Sequence, residues 1–249
     1  MNSKRLSVIV PVYNGEKYIE EALNSIFSQE GDYEFEVIIV NDGSTDKTEE
    51  ILQPYMDRIV YTYQQNGGPP AARNTGVKLA TEDYVAFLDA DDIWTDHKTT
   101  LQKAFFDENS KIDIVLGLYN KQNFKSRDEI HLDDQDLHFQ LSLGCAIIKR
   151  EVFAKVGLFD GDLFLGEDTD WFMRAREAGL KIRVHEDRVM YQRLHENNST
   201  ASKAKFNYYV FKVLKKAKDR RKNAENIGES FLQKPENKEQ LIERRNTAL

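Results

Sequence analysis

The sequence predicts an α/β fold: one domain on a mostly parallel central sheet flanked by helices, followed by a C-terminal helical extension. Three observations predict it. Short apolar, β-branched runs at 6–10, 35–40, 59–63 and 84–88 alternate with segments of helical spacing, the βαβ rhythm of parallel strands joined by right-handed crossovers. Each run ends in a polar loop, so all of these loops share the carboxyl edge, where ligands bind in such sheets. The 249 residues suffice for one large domain with a full core.

The elements follow in order. The strand Leu6–Val10 is broken by Pro11, and Asn14 stands as N-cap of a helix whose apolar face is Ile19, Ala22, Leu23 and Ile26. Phe35–Val40 closes on the polar loop 41–46. Asp46 with Glu49 three residues on marks a helix start, running to about Met56. Ile59–Tyr63 leads through Gly67 and Gly68 to a helix ending at Leu79. Pro70 suits its first turn, where the missing N–H is not needed.

The fourth run, Tyr84–Leu88, feeds into Asp89, Asp91 and Asp92. A buried strand tolerates such carboxylates only at an open edge. In extended backbone Asp89 and Asp91 point to one side with Cα atoms roughly 6.5 Å apart. Two hard oxygen donors there suit a divalent cation that also holds phosphate oxygens; the same residues also read as an ordinary turn.

Past a strand at 112–118 the rhythm changes. Residues 120–136 are polar and read as a mobile surface segment. Leu141–Ile148 reads as a strand and Arg150–Val156 as a short helix. A further helix, with Trp171, Phe172 and Ala175 on its apolar side, stops near Gly179, and a strand covers Val189–Leu194.

Charge is unevenly placed. Residues 1–202 hold 22 basic against 36 acidic side chains, net −14, whereas 203–222 hold nine basic and one acidic, net +8. An acidic body that binds a phosphate dianion needs a bridging cation, and its charge disfavours nucleic acid. Phe206, Val210, Val213, Leu214 and Ala217 recur at helical spacing among Lys212, Lys215, Lys216 and Lys218. This basic amphipathic helix reads either as lying on an anionic membrane or as docked on the domain with its lysines in water. The tail beyond Asn223 is polar, with a short helix expected around 236–245. No run of about 18 apolar residues spans a membrane, and no signal peptide opens the chain. The single cysteine, Cys145, excludes an internal disulfide, fits a reducing compartment and reads as a small core residue.

Five segments carry a resemblance: Val10–Glu16 (VPVYNGE), Val40–Asp46 (VNDGSTD), Asn66–Gly76 (NGGPPAARNTG), Phe87–Asp92 (FLDADD) and Gly166–Asp168 (GED). In this order and spacing, over roughly residues 5–200, the chain resembles the inverting GT-A glycosyltransferases of family 2. The resemblance implies a Rossmann-like GT-A domain at 1–200, with a nucleotide-sugar-binding half to about 118 and an acceptor and catalytic half from about 119. Residues 201–249 remain as basic helix and tail. It implies inverting transfer from a nucleotide sugar, UDP first, to a hydroxyl of a glycan or lipid-linked glycan. The setting would be bacterial-type polysaccharide assembly in the cytoplasm, with peripheral contact at the inner membrane face through 203–222.

Residue by residue, the resemblance makes Asp42 the acceptor for the uracil N3–H, with Pro11 and Tyr13 packing on the base. Arg73 would pair with the diphosphate or orient Asp89, and Asp89 would hold the ribose. Asp91 would coordinate Mn2+ or Mg2+, with His195 contacting the metal or diphosphate. Asp168 becomes the catalytic base, expected to be ionised because it opens a helix. Glu167 and Trp171 are placed at the sugar or acceptor, with a core position as the other reading of Trp171. Two further functions stay open: a sugar-nucleotide pyrophosphorylase, weakened by the lack of a basic Gly-rich loop after the first strand, and a non-catalytic carbohydrate-binding relative. A dehydrogenase is disfavoured because no G-x-G-x-x-G follows that strand.

Overall fold

Four parallel strands make the first half of the sheet: β1 (Arg5–Val12), β2 (Glu34–Asn41), β3 (Ile59–Tyr63) and β4 (Tyr84–Phe87), ordered β3-β2-β1-β4. Successive residues Val8 to Val10, Val37 to Val40 and Val85 to Phe87 are all buried, as a sheet covered on both faces requires. This computed structural model describes residues 5–31, 33–130, 137–138, 141–195 and 203–226, with backbone alone for 203–206 and 223–226.

The crossovers are α1 (Ile19–Phe27), α2 (Thr48–Leu52) and α3 (Pro69–Leu79). α2 runs on as a 3-10 turn, Gln53–Tyr55, where Pro54 ends the α-helical ladder. α3 lies directly on β1, because a Cβ on Gly76 would fall 2.3 Å from Ile9 Cγ2. That closeness brings the N-terminal turn of α3 to the carboxyl edge of the strands.

Beyond β4 the sheet becomes mixed. β5 (Ile93–Trp94) and α4 (Lys98–Glu108) precede β6 (Ile114–Gln122), β7 (Leu137–His138), β8 (Ala146–Lys149), α5 (Val152–Val156), α6 (Glu167–Glu177) and β9 (Ile182–Arg193). The nine described strands run β3-β2-β1-β4-β8-β6-β9-β5, with β7 beside β6. β8 is antiparallel to both β4 and β6, and β9 is parallel to β6.

Several expectations are corrected. Asn14 is not an N-cap: its backbone is left-handed, with φ 54°, and α1 begins only at Ile19. Its side chain is engaged elsewhere, accepting from Thr45 N at 2.8 Å. The surface segment expected at 120–136 opens instead as the end of β6 and holds a 3-10 turn, Arg127–Glu129; residues 131–136 lie outside the described ones. Of the strand expected at 141–148, Leu143–Cys145 is a 3-10 turn and only β8 is extended. α4 was not foreseen, since its buried side is Lys98, Thr99, Gln102, Lys103 and Phe106, which offers almost no apolar stripe.

The chain divides into two compact units, Met1–Val213 and Leu214–Leu249. α7 (Lys203–Asn226) begins in the first. On this helix Val213 and Ala217 are buried, whereas Tyr208, Val210, Phe211 and Leu214 are exposed, so its expected apolar face is split. The helix expected at 236–245 lies outside the described residues. Among the described residues no helix is long and apolar enough to cross a membrane.

Candidate active site

The loops after β1 and β2 are sewn together. Asn14 N donates to Ser44 Oγ at 2.9 Å, Gly15 N to Thr48 Oγ1 at 2.8 Å and Glu16 N to Asp46 Oδ2 at 3.0 Å. Lys47 N returns a bond to Glu16 Oε2 at 3.0 Å. Hydrogen bonds to carboxylates are the stronger kind, so this mouth is held before any ligand arrives. Asp46 also accepts from Thr48 N at 3.0 Å, and these bonds, outweighing its partial burial, lower its pKa.

β1 runs through Pro11, in register with Val40, to Val12, so the break expected at Pro11 does not occur. Tyr13 beside it is 54% exposed, its ring standing at the mouth rather than folded on the core. Asp42 is buried, and its carboxylate accepts three bonds: from Gln64 Nε2 at 2.7 Å, Gly67 N at 2.9 Å and Gly68 N at 2.8 Å. It therefore braces the loop that enters α3. A carboxylate has about four lone-pair sites, so roughly one remains for a ligand N–H.

Arg73, on α3, is the hub. Its Nη2 donates to Asp89 Oδ1 at 2.6 Å and its Nη1 pairs with Glu167 Oε1, 94 residues further along the chain. The guanidinium is buried, and its Nε has no hydrogen-bond partner. Burial pulls its pKa down, but Asp89, Glu167 and Asp168 outweigh that and raise it. Of the two partners expected for Arg73, Asp89 is in contact with it. Asn74 next to it clasps the turn before α6, donating to Phe159 O at 2.9 Å and accepting from Phe159 N at 2.8 Å.

Three carboxylates thus surround one guanidinium. Glu167 is buried, and burial pushes its pKa up to about 7 against the pull of Arg73, with Asp168 adding to the rise. It was expected at the sugar or acceptor; it faces inward, onto Arg73, instead. Asp168 accepts from Thr169 N at 2.6 Å and Thr169 Oγ1 at 3.3 Å, both at Oδ1. Its pKa is raised, first by burial, then held back by Arg73 and the Thr169 N–H. Burial thus works against the helix start, which was expected to favour the ionised form.

Asp91 Oδ2 lies 2.8 Å from His195 Nε2, bridging 104 residues of sequence. The imidazole stacks on Tyr18, ring centroids 5.2 Å apart. Burial and Asp89 raise the Asp91 pKa despite His195. Asp92 is buried, its pKa well above the ordinary range through burial and its two acidic neighbours. A carboxylate oxygen and an imidazole nitrogen converging at the edge are two donors that Mn2+ accepts. Among the described residues no three or more His, Cys, Asp or Glu form a metal cluster. An ion here would take its other ligands from phosphate and water, which suits Mg2+ and Mn2+.

Sequence reading missed Arg193. It is fully buried, donating from Nε to Asp91 O at 3.0 Å, from Nη1 to Phe124 O at 2.7 Å and from Nη2 to Glu21 Oε2 at 2.5 Å. Its N–H reaches Asp92 Oδ1 at 3.0 Å, so the end of β9 clamps the acid loop from behind. An arginine closing an apolar strand was the only signal. Trp171 is corrected: it is 0% exposed, donates to Gly157 O at 2.9 Å and packs on Phe153, Phe159 and Phe172. A ring with no open face stacks on no acceptor.

Comparison with known proteins gives consistent matches. A family model described as "Glycosyl transferase family 2" matches residues 7–167. An uncharacterized glycosyltransferase of Rickettsia typhi is 33% identical over 209 residues, 74% of this chain and 65% of the relative. The minor teichoic acid biosynthesis protein GgaB of Bacillus subtilis is 33% identical over 250 residues, 91% of this chain and 28% of that protein. The chain thus spans less than two thirds of each relative's length. Among solved structures, S. aureus TarS 1-349 in complex with UDP-GlcNAc aligns with TM-score 0.64 and 29% identity, covering 80% of this chain and 61% of that one. A mannosyltransferase from Pyrobaculum calidifontis aligns with TM-score 0.69 at 20% identity, covering 86% of this chain and 64% of the other, a likeness of fold alone.

Proposed function

The chain belongs to glycosyl transferase family 2, and from that premise we propose that it transfers a sugar, with inversion, from a UDP-sugar to a hydroxyl of a glycan or lipid-linked glycan. Its fold is the Rossmann-like GT-A type. The observation that carries the reading is the Arg73 hub, which joins Asp89 at the end of β4 to Glu167 at the start of α6. Asp168 follows Glu167, so a base candidate stands where donor and acceptor halves meet. The UDP preference is supported by TarS, whose structures hold UDP and UDP-GlcNAc. The glycan setting is supported by GgaB, named for teichoic acid biosynthesis.

In this reading Asp42 takes the uracil N3–H with its remaining lone pair, Tyr13 and Pro11 cover the base, and Asp89 holds the ribose. Asp91 and His195 would hold Mn2+ or Mg2+, which when bound supplies Lewis-acid stabilisation of the departing diphosphate. Both Thr169 bonds fall on Asp168 Oδ1, leaving Oδ2 to accept the proton of the acceptor hydroxyl. The acceptor's hydroxyl oxygen, losing its proton to Oδ2, bonds to the anomeric carbon as the opposite bond to the diphosphate breaks, inverting the centre. A raised pKa favours this role, since a base works best with its pKa near the operating pH. Glu167 and Arg73 hold the arrangement rather than touch the sugar.

A surface role is assigned to 203–222, whose net charge of +8 and exposed Phe211 and Tyr208 suit an anionic lipid surface. The protein would then work at the cytoplasmic face of a membrane. Co-sedimentation with anionic vesicles, lost on Phe211→Ser with Lys212→Glu, is the measure.

The test of the transfer reaction is direct. A thermal-shift panel of UDP-sugars with and without Mn2+ should show a metal-dependent response to a donor. Asp168→Asn should keep that response while sugar transfer falls roughly 10²–10⁴-fold. Near-normal turnover in that variant refutes the assignment.

A further inference from the structure

β9 ends at Arg193, and Leu194 N makes one bond beyond it, to Gln122 O at 2.8 Å. His195 lies past that ladder. Its ring turns about two side-chain torsions, so the strand alone does not aim Nε2 at Asp91 Oδ2, which it meets at 2.8 Å. The ring it stacks on is Tyr18, with centroids 5.2 Å apart and planes 27° apart. Tyr18 is itself fixed. It immediately precedes α1 and is half-buried, its N–H on Gly15 O at 3.0 Å and its carbonyl accepting from Ala22 N at 3.1 Å. Ile19, the next residue, is 0% exposed in the core.

Arg193 closes the circuit. Its guanidinium carbon lies 4.5 Å from the Tyr18 ring centre, a cation–π contact, and its Nε donates to Asp91 O at 3.0 Å. Tyr18, His195, Asp91 and Arg193 thus form a closed ring of contacts drawn from three separate stretches of chain. Glu21, in the first turn of α1, ties that ring to the helix by accepting from Arg193 Nη2 at 2.5 Å. We propose that Tyr18 is a positioning residue for the divalent cation: its ring holds the imidazole so that Nε2 stays beside Asp91 Oδ2, while Arg193 fixes both the Tyr18 ring and the Asp91 backbone. The inference rests on the reading of Asp91 and His195 as the metal ligands. Their facing atoms, 2.8 Å apart, already have about the 2.9 Å spacing of adjacent ligands around an octahedral ion with bonds of about 2.0–2.1 Å. An imidazole ordered beforehand loses little rotamer freedom when the ion arrives, and that saving appears as metal affinity.

Calorimetric titration of the full chain with UDP, with and without Mn2+, gives the factor by which the cation raises UDP affinity. Tyr18→Leu should cut that factor about 10-fold or more, as groups that orient a ligating imidazole do. Tyr18→Phe keeps the stacking face and should preserve it. Neither change should alter UDP affinity without metal, which also shows that both variants fold. His195→Ala should remove most of the gain, and adding Tyr18→Leu to it should cost nothing further, because residues acting through one contact are not additive. The inference is overturned, with the metal reading left standing, by a gain untouched in Tyr18→Leu or lost equally in Tyr18→Phe. A further loss when Tyr18→Leu joins His195→Ala, or weaker UDP binding without metal, overturns it in the same way. No gain from Mn2+ in the natural chain, or a gain that survives His195→Ala, refutes the metal reading, and the positioning role falls with it.

Discussion

Lys98 offers a sharp test of how this core is built. It is 0% exposed under the sheet, with Nζ donating to Gln102 Oε1 at 2.6 Å and lying 4.9 Å from the Trp94 ring centre. Burial lowers its pKa from 10.5 to about 7. At about 1.4 kcal/mol per tenfold change in proton affinity, the charged form is penalised by about 5 kcal/mol. The unfolded chain holds this proton up to about pH 10.4, whereas the fold releases it near 7. Between those values the unfolded state binds more protons, so stability rises with pH. Below pH 7 both states are charged and the full penalty remains. Replacing Lys98 with methionine removes it, and leaves Gln102 Oε1 without its donor at a cost of about 1–3 kcal/mol. Lys98→Met should therefore be more stable than the natural chain by about 3 kcal/mol at pH 6. It should be equal or slightly weaker near pH 10, where the penalty has fallen to about 1 kcal/mol. Urea unfolding of both proteins at pH 6, 8 and 10 measures this, and taking differences cancels every other titrating group. A variant less stable at pH 6, or a difference that does not shrink as pH rises, would refute the reasoning.

Other consequences follow from the same geometry. Arg73→Met strands Asp89 and Glu167 and should cost about 3–5 kcal/mol in thermal or urea unfolding; a loss under about 1 kcal/mol contradicts the hub. Arg73→Lys should recover little, since an ammonium cannot span two carboxylates as the guanidinium fork does. Because burial raises the Asp168 pKa and a base must be deprotonated, kcat/KM should climb with pH through an acid limb above the ordinary carboxylate value of about 4. A limb at or below 4 speaks against Asp168. Gly76→Ala gains about 1 kcal/mol of helix propensity but drives a methyl into Ile9, an overpacking cost of about 1–3 kcal/mol. The melting temperature should fall, and a rise would show that α3 has room to move.

Much of the fold was open to reading because β1 to β4 are short apolar runs with turn residues at each end, a pattern set by local chemistry. The acid motif at 89–92 was equally visible. α4 was hidden for a physical reason. Its buried side is filled by Lys98, Thr99 and Gln102; Lys98 donates to Gln102, Gln102 to Cys145 O, and Thr99 N to the Gln29 side chain, so burial there leaves no apolar trace. Trp171 left two readings open in the sequence, an acceptor contact beside the acids or a core position at helical spacing, and the facing Phe153, Phe159 and Gly157 decide for the core.

Alone, the chain's residues determined the α/β class, the edge at which polar loops gather and the acids that gather there, because strand periodicity and turn chemistry act over a few residues. Tertiary structure decided the division of labour among those acids. Glu167 reaching Arg73 and His195 reaching Asp91 span 94 and 104 residues, and desolvation of Asp168 depends on everything packed around it. Pairing across such distances, and the loss of water that goes with it, is a property of the assembled fold and is written in no local stretch of sequence.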